Sequence, residues 1–233
     1  MRITKQQAEE NRARVIATAA RLFRERGFDG VGVADLMHAA GLTHGGFYNH
    51  FESKDELEAA ACEHALGLAL EAIRSVADRP DPKDRAEALG EYKRRYVSRK
   101  SRDAEPFRCP MVAFGADVTR QSEPVRKEYA AGLRRYLDAY ARAFASERPS
   151  AKQSETLRLE ALAQFATMVG AVSLARSIAS ADPALSDEIL EAAAAAVEGP
   201  KPRTKSRQSA TAVGERKQSA IPQAKAIAAT NRP

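Results

Sequence analysis

The stretch LTHGGFYNHFESKDEL, Leu42–Leu57, decides how the first part of the chain folds. Two adjacent glycines stand inside a run with helical character, although a glycine costs roughly 1 kcal/mol relative to alanine in a helix interior. Two histidines, a tyrosine and an asparagine surround the glycines. Ser53 and Glu56 then have the spacing of a capping box, which predicts the start of a longer helix. The chain therefore weakens a helix at the place where it displays its most interactive side chains.

Two short helices joined by Gly41–Thr43 give this region the spacing of a helix-turn-helix. We expect the first helix over VADLMHAAG and the second over Thr43–Phe51, capped by the Thr43 hydroxyl. Phe47 and Phe51 lie four residues apart and would face inward. The polar residues and the glycines remain on the outward side, where small residues let a helix backbone come close to DNA in the major groove.

Together with its flanks, this stretch resembles the N-terminal DNA-binding domain of the TetR family of transcriptional repressors. The likeness covers about Arg12–Leu66 and rests on AARLFRERGFDG, AAGLTHGGFYNHF and SKDEL, which fall at the family's spacing. It implies an all-helical homodimer whose C-terminal domain binds a small-molecule inducer and then releases a palindromic double-stranded DNA operator. The resemblance also implies a set of DNA-binding residues: Thr43, His44, Gly45, Gly46, Tyr48, Asn49, His50 and Lys54.

Within that set the resemblance implies two kinds of contact. Phosphate contacts fall to Tyr48, His50 and Lys54, and base contacts to His44, Gly45 and Asn49. The sequence departs from the family at Val31 and Gly32, where members often have threonine or serine at the start of the second helix. A hydroxyl there would cap the helix and touch a phosphate, so we expect a weaker cap in this chain.

The rest of the chain up to residue 199 predicts helices and no sheet, because apolar residues recur at a period near 3.6 between turn signals. The expected fold is all-α, with about nine helices. A three-helix DNA-binding domain would cover 8–66, a helical ligand-binding and dimerisation domain 67–199, and a disordered basic tail 200–233. The later helices are expected over 85–101, 109–121, 124–147, 155–180 and 184–198.

The net charge of +6 comes from the tail. Residues 200–233 hold eight Lys or Arg and one acid, so residues 1–199 carry a net charge of −1. A basic arm can add nonspecific phosphate affinity, which supports an alternative in which the chain is a nonspecific DNA-binding architectural protein. A solvated extension without a role is the other interpretation of the tail.

The sequence indicates a cytoplasmic protein that is not an enzyme. No uncharged apolar run approaches the ~18 residues of a membrane span, and the N-terminus has no apolar stretch typical of a secretory signal. Cys62 and Cys109 do not make a disulfide framework. His38, His44 and His50 are six residues apart, so we expect no metal site. The sequence shows no nucleophile elbow, phosphate-binding glycine loop, metal cluster or paired carboxylates in a motif, and we expect no cofactor.

The C-terminal half offers aromatic and methionine side chains for a pocket. Because release from DNA requires a ligand that prefers one state, we expect a mostly apolar cavity and an apolar or aromatic inducer. An aromatic and methionine set at this helical spacing is more often plain core than ligand pocket, and a plain core is the alternative for each of these residues. The candidate lining residues are Tyr92, Tyr96, Cys109, Met111, Phe114, Tyr136, Phe165 and Met168.

Cys109 raises a separate hypothesis. It stands beside Arg108 at the expected start of a helix, and both a helix N-terminus and a cation lower the pKa of a thiol. The resembled family includes members that sense electrophiles or oxidants through a cysteine in this region, so Cys109 is a candidate redox sensor. A buried small residue without chemistry is the alternative.

The last two helices predict a dimer interface. The helix over 155–180 is apolar on more than one face and contains Ala163, Ala166 and Gly170. With the alanine-rich helix over 184–198 it would form a four-helix interface across a two-fold axis. The alternative is the central buried helix of a monomer. A dimer would place two recognition helices about 34–36 Å apart, or a multiple of a helical turn. The sequence leaves repression and activation both open.

Overall fold

The computed structural model describes residues 4–104, 109–145 and 150–198, and within these ranges the chain is helical without strands. The predicted all-α fold is confirmed. The predicted tail at 200–233 lies outside the described residues. So does Arg108, the cation that the sequence places beside Cys109. The α-helices are α1 (Lys5–Arg26), α2 (Val33–Ala39), α3 (Lys54–Ala77), α4 (Pro82–Tyr96), α5 (Arg99–Arg102), α6 (Pro110–Phe114), α7 (Glu123–Phe144), α8 (Ala151–Ile178) and α9 (Pro183–Glu198).

The second helix of the helix-turn-helix differs from its prediction. Instead of an α-helix over Thr43–Phe51, the chain forms a 3-10 helix over His44–Asn49. The backbone N–H of Gly46 donates to Thr43 O at 3.0 Å and that of His50 to Phe47 O at 2.9 Å, which is the tighter i to i+3 pattern. The Thr43 side chain makes no capping hydrogen bond, so that prediction is wrong. The two glycines explain the difference, because they weaken an α-helix.

Three other helix predictions needed correction. The helix expected over 85–101 breaks after Tyr96, and Ser98 caps the separate helix α5 by accepting from Ser101 N. The helix expected over 109–121 ends at Phe114 and resumes as a 3-10 turn over Val118–Arg120. Helix α8 begins four residues early, at Ala151, because Ser150 and Gln153 form a reciprocal capping box.

The N-terminal helices pack as the periodicity predicts. Helix α1 buries Val15, Ala19 and Phe23, and it ends at Gly27, whose φ of 77° lies in the left-handed region that favours glycine. Helix α2 starts at Gly32 without a side-chain cap, as expected from the missing hydroxyl. Gly41, with φ of 72°, lets the chain turn after α2 toward the 3-10 helix over His44–Asn49, which we call the recognition segment.

Helix α3 connects the two predicted domains. Residues 1–201 form one compact unit, and the predicted boundary between residues 66 and 67 falls inside this continuous helix. Helices α3 and α7 make the most extensive contact of the fold. They approach closely at Gly132, where a Cβ would lie 2.6 Å from Leu66 Cδ1. Helix α7 therefore lies directly against α3 at this point.

Helix α8 keeps an apolar face outside this core. Leu159 and Leu174 are 62% and 60% exposed, and Ala163, Ala166 and Gly170 lie between them on the same face. In the described part of the chain, α8 alone is long and apolar enough to cross a membrane, judged by length and composition. A soluble interface helix passes the same test.

Candidate nucleic-acid interface and internal cavity

The 3-10 helix separates an inward side from an outward side. Phe47 is buried, its ring lies 5.5 Å from that of Phe51, and both belong to the core. The outward residues are Thr43, His44, Gly45, Tyr48 and Asn49, all exposed, with Gly46 and His50 half-buried. Tyr48 is 73% exposed, although its ring makes an edge contact with Phe47. The segment thus presents hydrogen-bonding side chains and bare backbone to its surroundings.

Neither glycine of this segment is required by packing. A Cβ on Gly45 would meet no atom within 4 Å, and one on Gly46 would make ordinary contacts with Thr43 and Met37. Neither residue has the positive φ found at Gly27 and Gly41. Since the fold does not need the glycine at position 45, the space above it is available for the close approach of another molecule.

Lys54 lies against the protein itself. Its Nζ donates to Phe28 O at 2.8 Å and pairs with the Glu58 carboxylate at 3.1 Å, about 5.9 Å from the centre of the Phe23 ring. Burial raises the pKa of Glu58, and the lysine opposes that effect. A phosphate bound here would have to share the ammonium group with these two acceptors.

The start of α3 is anchored by Glu56. Ser53 Oγ accepts from Glu56 N, but the Glu56 carboxylate accepts from Glu52 N at 2.7 Å and not from Ser53 N as in the predicted capping box. Arg12 on α1 pairs with the other carboxylate oxygen at 2.9 Å. The hydrogen bond from Glu52, followed by that from Arg12, lowers the pKa of Glu56. This network fixes the helix that follows the recognition segment.

Phe28 connects this region to the C-terminal half of the fold. Its ring packs between Phe23 at 5.1 Å and Phe114 at 4.9 Å. Its backbone N–H donates to Asp117 Oδ2 at 2.9 Å, and its carbonyl accepts from Lys54. The N–H and the carbonyl of Phe28 are therefore both hydrogen-bonded, the N–H to the segment between α6 and α7 and the carbonyl to α3.

A cavity of about 540 Å³ is lined by residues of the five successive helices α3 to α7. This volume is in the range of small-molecule sites. Its lining residues are Leu68, Ala69, Ala72, Tyr92, Arg95, Tyr96, Ser98, Lys100, Ser101, Cys109, Met111 and Tyr136. The hydroxyls of Tyr92 and Tyr136 lie 2.6 Å apart and share a hydrogen bond. Burial raises the pKa of Tyr92 to about 12, so its phenol is neutral at physiological pH.

The cavity gathers part of the predicted pocket. It brings together Tyr92, Tyr96, Cys109, Met111 and Tyr136. Phe114, Phe165 and Met168 do not line it. Phe114 packs on Phe28, Phe165 packs in a cluster of buried tyrosines, and Met168 Sδ accepts from Tyr140 at 3.4 Å.

Burial opposes the activation that the sequence predicted for the Cys109 thiol. Burial raises its pKa, whereas the sequence predicted a lowered one. Hydrogen bonds from Tyr96 OH, at 2.8 Å, and from the backbone of Val112 and Met111 act in the opposite direction but do not overcome burial. Arg108, which the sequence predicted to lower this pKa further, lies outside the described residues.

Among the described residues, there is no group of three or more His, Cys, Asp or Glu side chains that could hold a metal ion.

The helix-turn-helix geometry agrees with a comparison of the sequence with known families. Residues 15–61 match the model described as bacterial regulatory proteins, tetR family. In this region the chain is similar to the TetR family of bacterial regulatory proteins. The match includes α1, α2 and the recognition segment, and it ends inside α3.

Individual TetR-family relatives are similar mainly in this region. The chain is 33% identical over 67 residues to the uncharacterized HTH-type transcriptional regulator YerO of Bacillus subtilis, which is 29% of this chain and 23% of YerO. It is 44% identical over 57 residues to the HTH-type transcriptional regulator TtgR of Pseudomonas putida, which is 24% of this chain and 27% of TtgR. The matches thus span about a quarter of the length of these curated relatives.

The fold as a whole is also found among solved TetR-family structures. The reduced form of NemR from Escherichia coli superposes with a TM-score of 0.64 at 23% identity, covering 81% of this chain and 96% of that one. At this identity the likeness concerns the fold, including the helical C-terminal half.

Sequence reasoning missed the α3 side of the cavity and its charged rim. Leu68, Ala69 and Ala72 recur at helical spacing on α3, and Leu68 is a large apolar residue that is 48% exposed. Arg95 and Lys100 belong to the basic run KRRYVSRKSR. That basic run is visible in the sequence, but only the structure shows which of its cations pair with other parts of the protein and which line the cavity.

Proposed function

We propose that this chain is a homodimeric, sequence-specific DNA-binding regulator of transcription, a repressor released from a palindromic operator by a small molecule. The observation that carries the proposal is the outward surface of the 3-10 helix. It combines exposed Tyr48 and Asn49 with a glycine, Gly45, that the fold does not need. A segment of this kind lets the backbone approach base edges while side chains contact bases and phosphates.

The dimer is supported by the exposed face of α8. Leu159, Ala163, Ala166, Gly170 and Leu174 form an apolar stripe along one side of the helix. Small residues in the middle of such a stripe permit the close approach of a second helix, and a two-fold axis buries the same stripe on both copies. The pairing would extend to α9 and give the operator its palindromic symmetry.

Helix α6 provides a physical connection between cavity and DNA-binding surface. Met111, at one end of this short helix, lines the cavity. Phe114, at the other end, packs on Phe28, and Asp117 holds the Phe28 backbone. A ligand that shifts α6 would move Phe28 and with it the turn between α1 and α2. Ligand would thereby favour the arrangement whose two recognition segments do not match the operator.

The inducer proposed for the cavity is a small molecule with an apolar or aromatic body, bound reversibly. A thiol-reactive inducer acting on Cys109 is the second candidate, favoured by the position of this thiol in the cavity wall. Its raised pKa argues against fast thiolate chemistry. Once an inducer is identified, it can be added to the complex of a Cys109→Ser variant with DNA. Release of the DNA would support reversible binding, and loss of release would support a reaction at the Cys109 thiol.

The function is tested by selecting binding sites from a pool of random duplexes with the full chain at physiological salt. We expect enrichment of one palindrome whose half-sites are separated by about one helical turn, or a multiple of it. Enrichment of no sequence would overturn the proposal. A reporter gene behind the selected palindrome then distinguishes repression from activation.

The alternative, nonspecific DNA coating by the basic tail, makes a different prediction. A chain that ends at residue 201 keeps the compact unit intact. On our proposal it selects the same palindrome with a smaller salt dependence, since fewer cations meet phosphates. On the alternative it no longer binds DNA.

A further inference from the structure

The basic run KRRYVSRKSR, residues 93–102, contains six cations that fall into two groups. Four of them have partners on α8 or α9. Lys93 donates to Val197 O at 2.8 Å and to Gln164 Oε1 at 3.3 Å. Arg94 pairs with Glu198 at 3.8 Å, and Asp187 pairs with both Arg99, at 2.9 Å, and Arg102, at 2.8 Å. These four attach the α4–α5 segment to the end of the helical bundle.

The other two cations, Arg95 and Lys100, line the cavity. Within the described ranges neither has a carboxylate within ion-pair distance. Both are exposed, and the Arg95 guanidinium lies 5.7 Å from the ring centre of Tyr92, another lining residue. The two cations of the run that have no carboxylate partner among the described residues are thus the two at the cavity.

The rest of the described wall carries no formal charge. It consists of apolar side chains, two serines, a thiol and tyrosines. Burial raises the pKa of Tyr92, Tyr96, Tyr136 and Cys109, so these groups are neutral at physiological pH. An apolar, aromatic interior therefore leads to a rim with two positive charges and no acidic residue among its described members.

We propose that the cavity takes a small organic acid, with an aromatic or other apolar body against Tyr92, Tyr136 and Met111 and an anionic head at Arg95 and Lys100. This rests on the proposed function, because it names the chemical class of the inducer. Arg95 can bind a carboxylate or sulfonate through two parallel N–H donors, and Lys100 adds a second charge. A cationic ligand would be repelled at the same rim.

Two fluorescent probes with the same aromatic body test this inference on the full-length protein. Anilinonaphthalene sulfonate carries an anionic head, and phenylnaphthylamine lacks it. The test variant is Arg95→Gln/Lys100→Gln. The matched control is Lys83→Gln/Lys127→Gln, which removes two exposed charges away from the cavity. Ala69→Trp, which fills part of the cavity, reports whether the probes bind there.

We expect the test variant to bind the sulfonate about tenfold more weakly, as two partly exposed charge pairs would give. Its affinity for the neutral probe should stay within about twofold, and the control should change neither. Ala69→Trp should weaken both probes. If Ala69→Trp weakens both probes but the test variant binds the sulfonate normally, the acid preference is wrong while the cavity remains the ligand site. If Ala69→Trp leaves both probes unchanged, the cavity is not their site, and the ligand half of the proposed function fails as well.

Discussion

Asp117 accepts a hydrogen bond from the backbone N–H of Phe28 at 2.9 Å, and this bond joins the turn after α1 to the segment between α6 and α7. The two residues are 89 positions apart in the sequence. A Cβ on Gly27, the residue before Phe28, would lie 2.9 Å from the same Asp117 oxygen, so the contact is tight as well as specific. The bond brings the cavity side of the fold into direct contact with the DNA-binding side.

Removing the Asp117 carboxylate should loosen this connection. Asp117→Ala leaves the N–H of buried Phe28 without its acceptor, so we expect the free energy of unfolding to fall by about 1–2 kcal/mol. Asp117→Asn keeps an oxygen acceptor and should lose less than half of that. Hydrogen exchange at the Phe28 amide gives the direct readout: exchange should accelerate in the alanine variant and stay slow in the asparagine variant. Equal protection in all three proteins would show that the bond does not hold the turn.

Gly45→Ala separates DNA binding from folding. Since its Cβ would meet nothing within 4 Å, the variant should unfold at the same denaturant concentration as wild type, or slightly higher. Its affinity for the operator should fall at least about tenfold, because a methyl group would stand between backbone and DNA. Gly67→Ala on α3 also meets no neighbour and serves as the control for added helix propensity. Unchanged operator affinity in Gly45→Ala would contradict the proposal that this glycine allows the backbone to approach DNA closely.

Leu174→Arg tests the dimer face of α8. A charged side chain at this exposed apolar position should not disturb the monomer fold, but it would be buried without a partner in a two-fold interface. We expect sedimentation equilibrium to show the mass of two chains for wild type and of one chain for the variant. Ala130→Arg, at an exposed position on α7, should stay dimeric. A dimer that survives Leu174→Arg would place the interface elsewhere.

The Glu56 network predicts a specific pH dependence. The pKa of Glu56 is lowered, by the hydrogen bond from Glu52 first and by Arg12 next, so its contribution is present above the unfolded-state pKa and lost as pH falls through the folded-state pKa. Glu56→Gln should reduce stability by about 0.5 kcal/mol at neutral pH, a small value because the Arg12 pair is partly exposed. The difference should begin to shrink as the pH falls below the unfolded-state pKa of about 4.3 and should vanish below the lowered folded-state pKa. Urea unfolding at several pH values measures it, with Glu87→Gln on the exposed side of α4 as control.

The sequence was sufficient for most of the fold because its signals are local. Gly27 and Gly41 mark real helix ends, and the apolar period of α1 predicts the residues it buries. The long-range contacts had no such signal. Nothing near Phe28 in the sequence indicates that Asp117 lies beside it, and the close approach of Gly132 to Leu66 depends on how α3 and α7 cross.

The candidate sites show the same division. Outward residues of the recognition segment could be predicted because they share one short helix with the inward Phe47. The cavity could be predicted only in part, since it depends on how five helices pack together. Cys109 shows the physical reason most clearly: a local pattern predicts a lowered pKa, but burial of the thiol in the folded chain raises it.

Fluorescence anisotropy of the full chain and of Asn49→Ala, on the selected palindrome and on a scrambled duplex, tests the central claim most directly. We expect wild type to prefer the palindrome by at least about a thousandfold. Asn49→Ala should lose about tenfold or more on the palindrome only, because the proposed role of Asn49 is to contact a base edge. Equal binding of wild type to both duplexes, or an equal loss on both in the variant, would contradict sequence recognition by this segment.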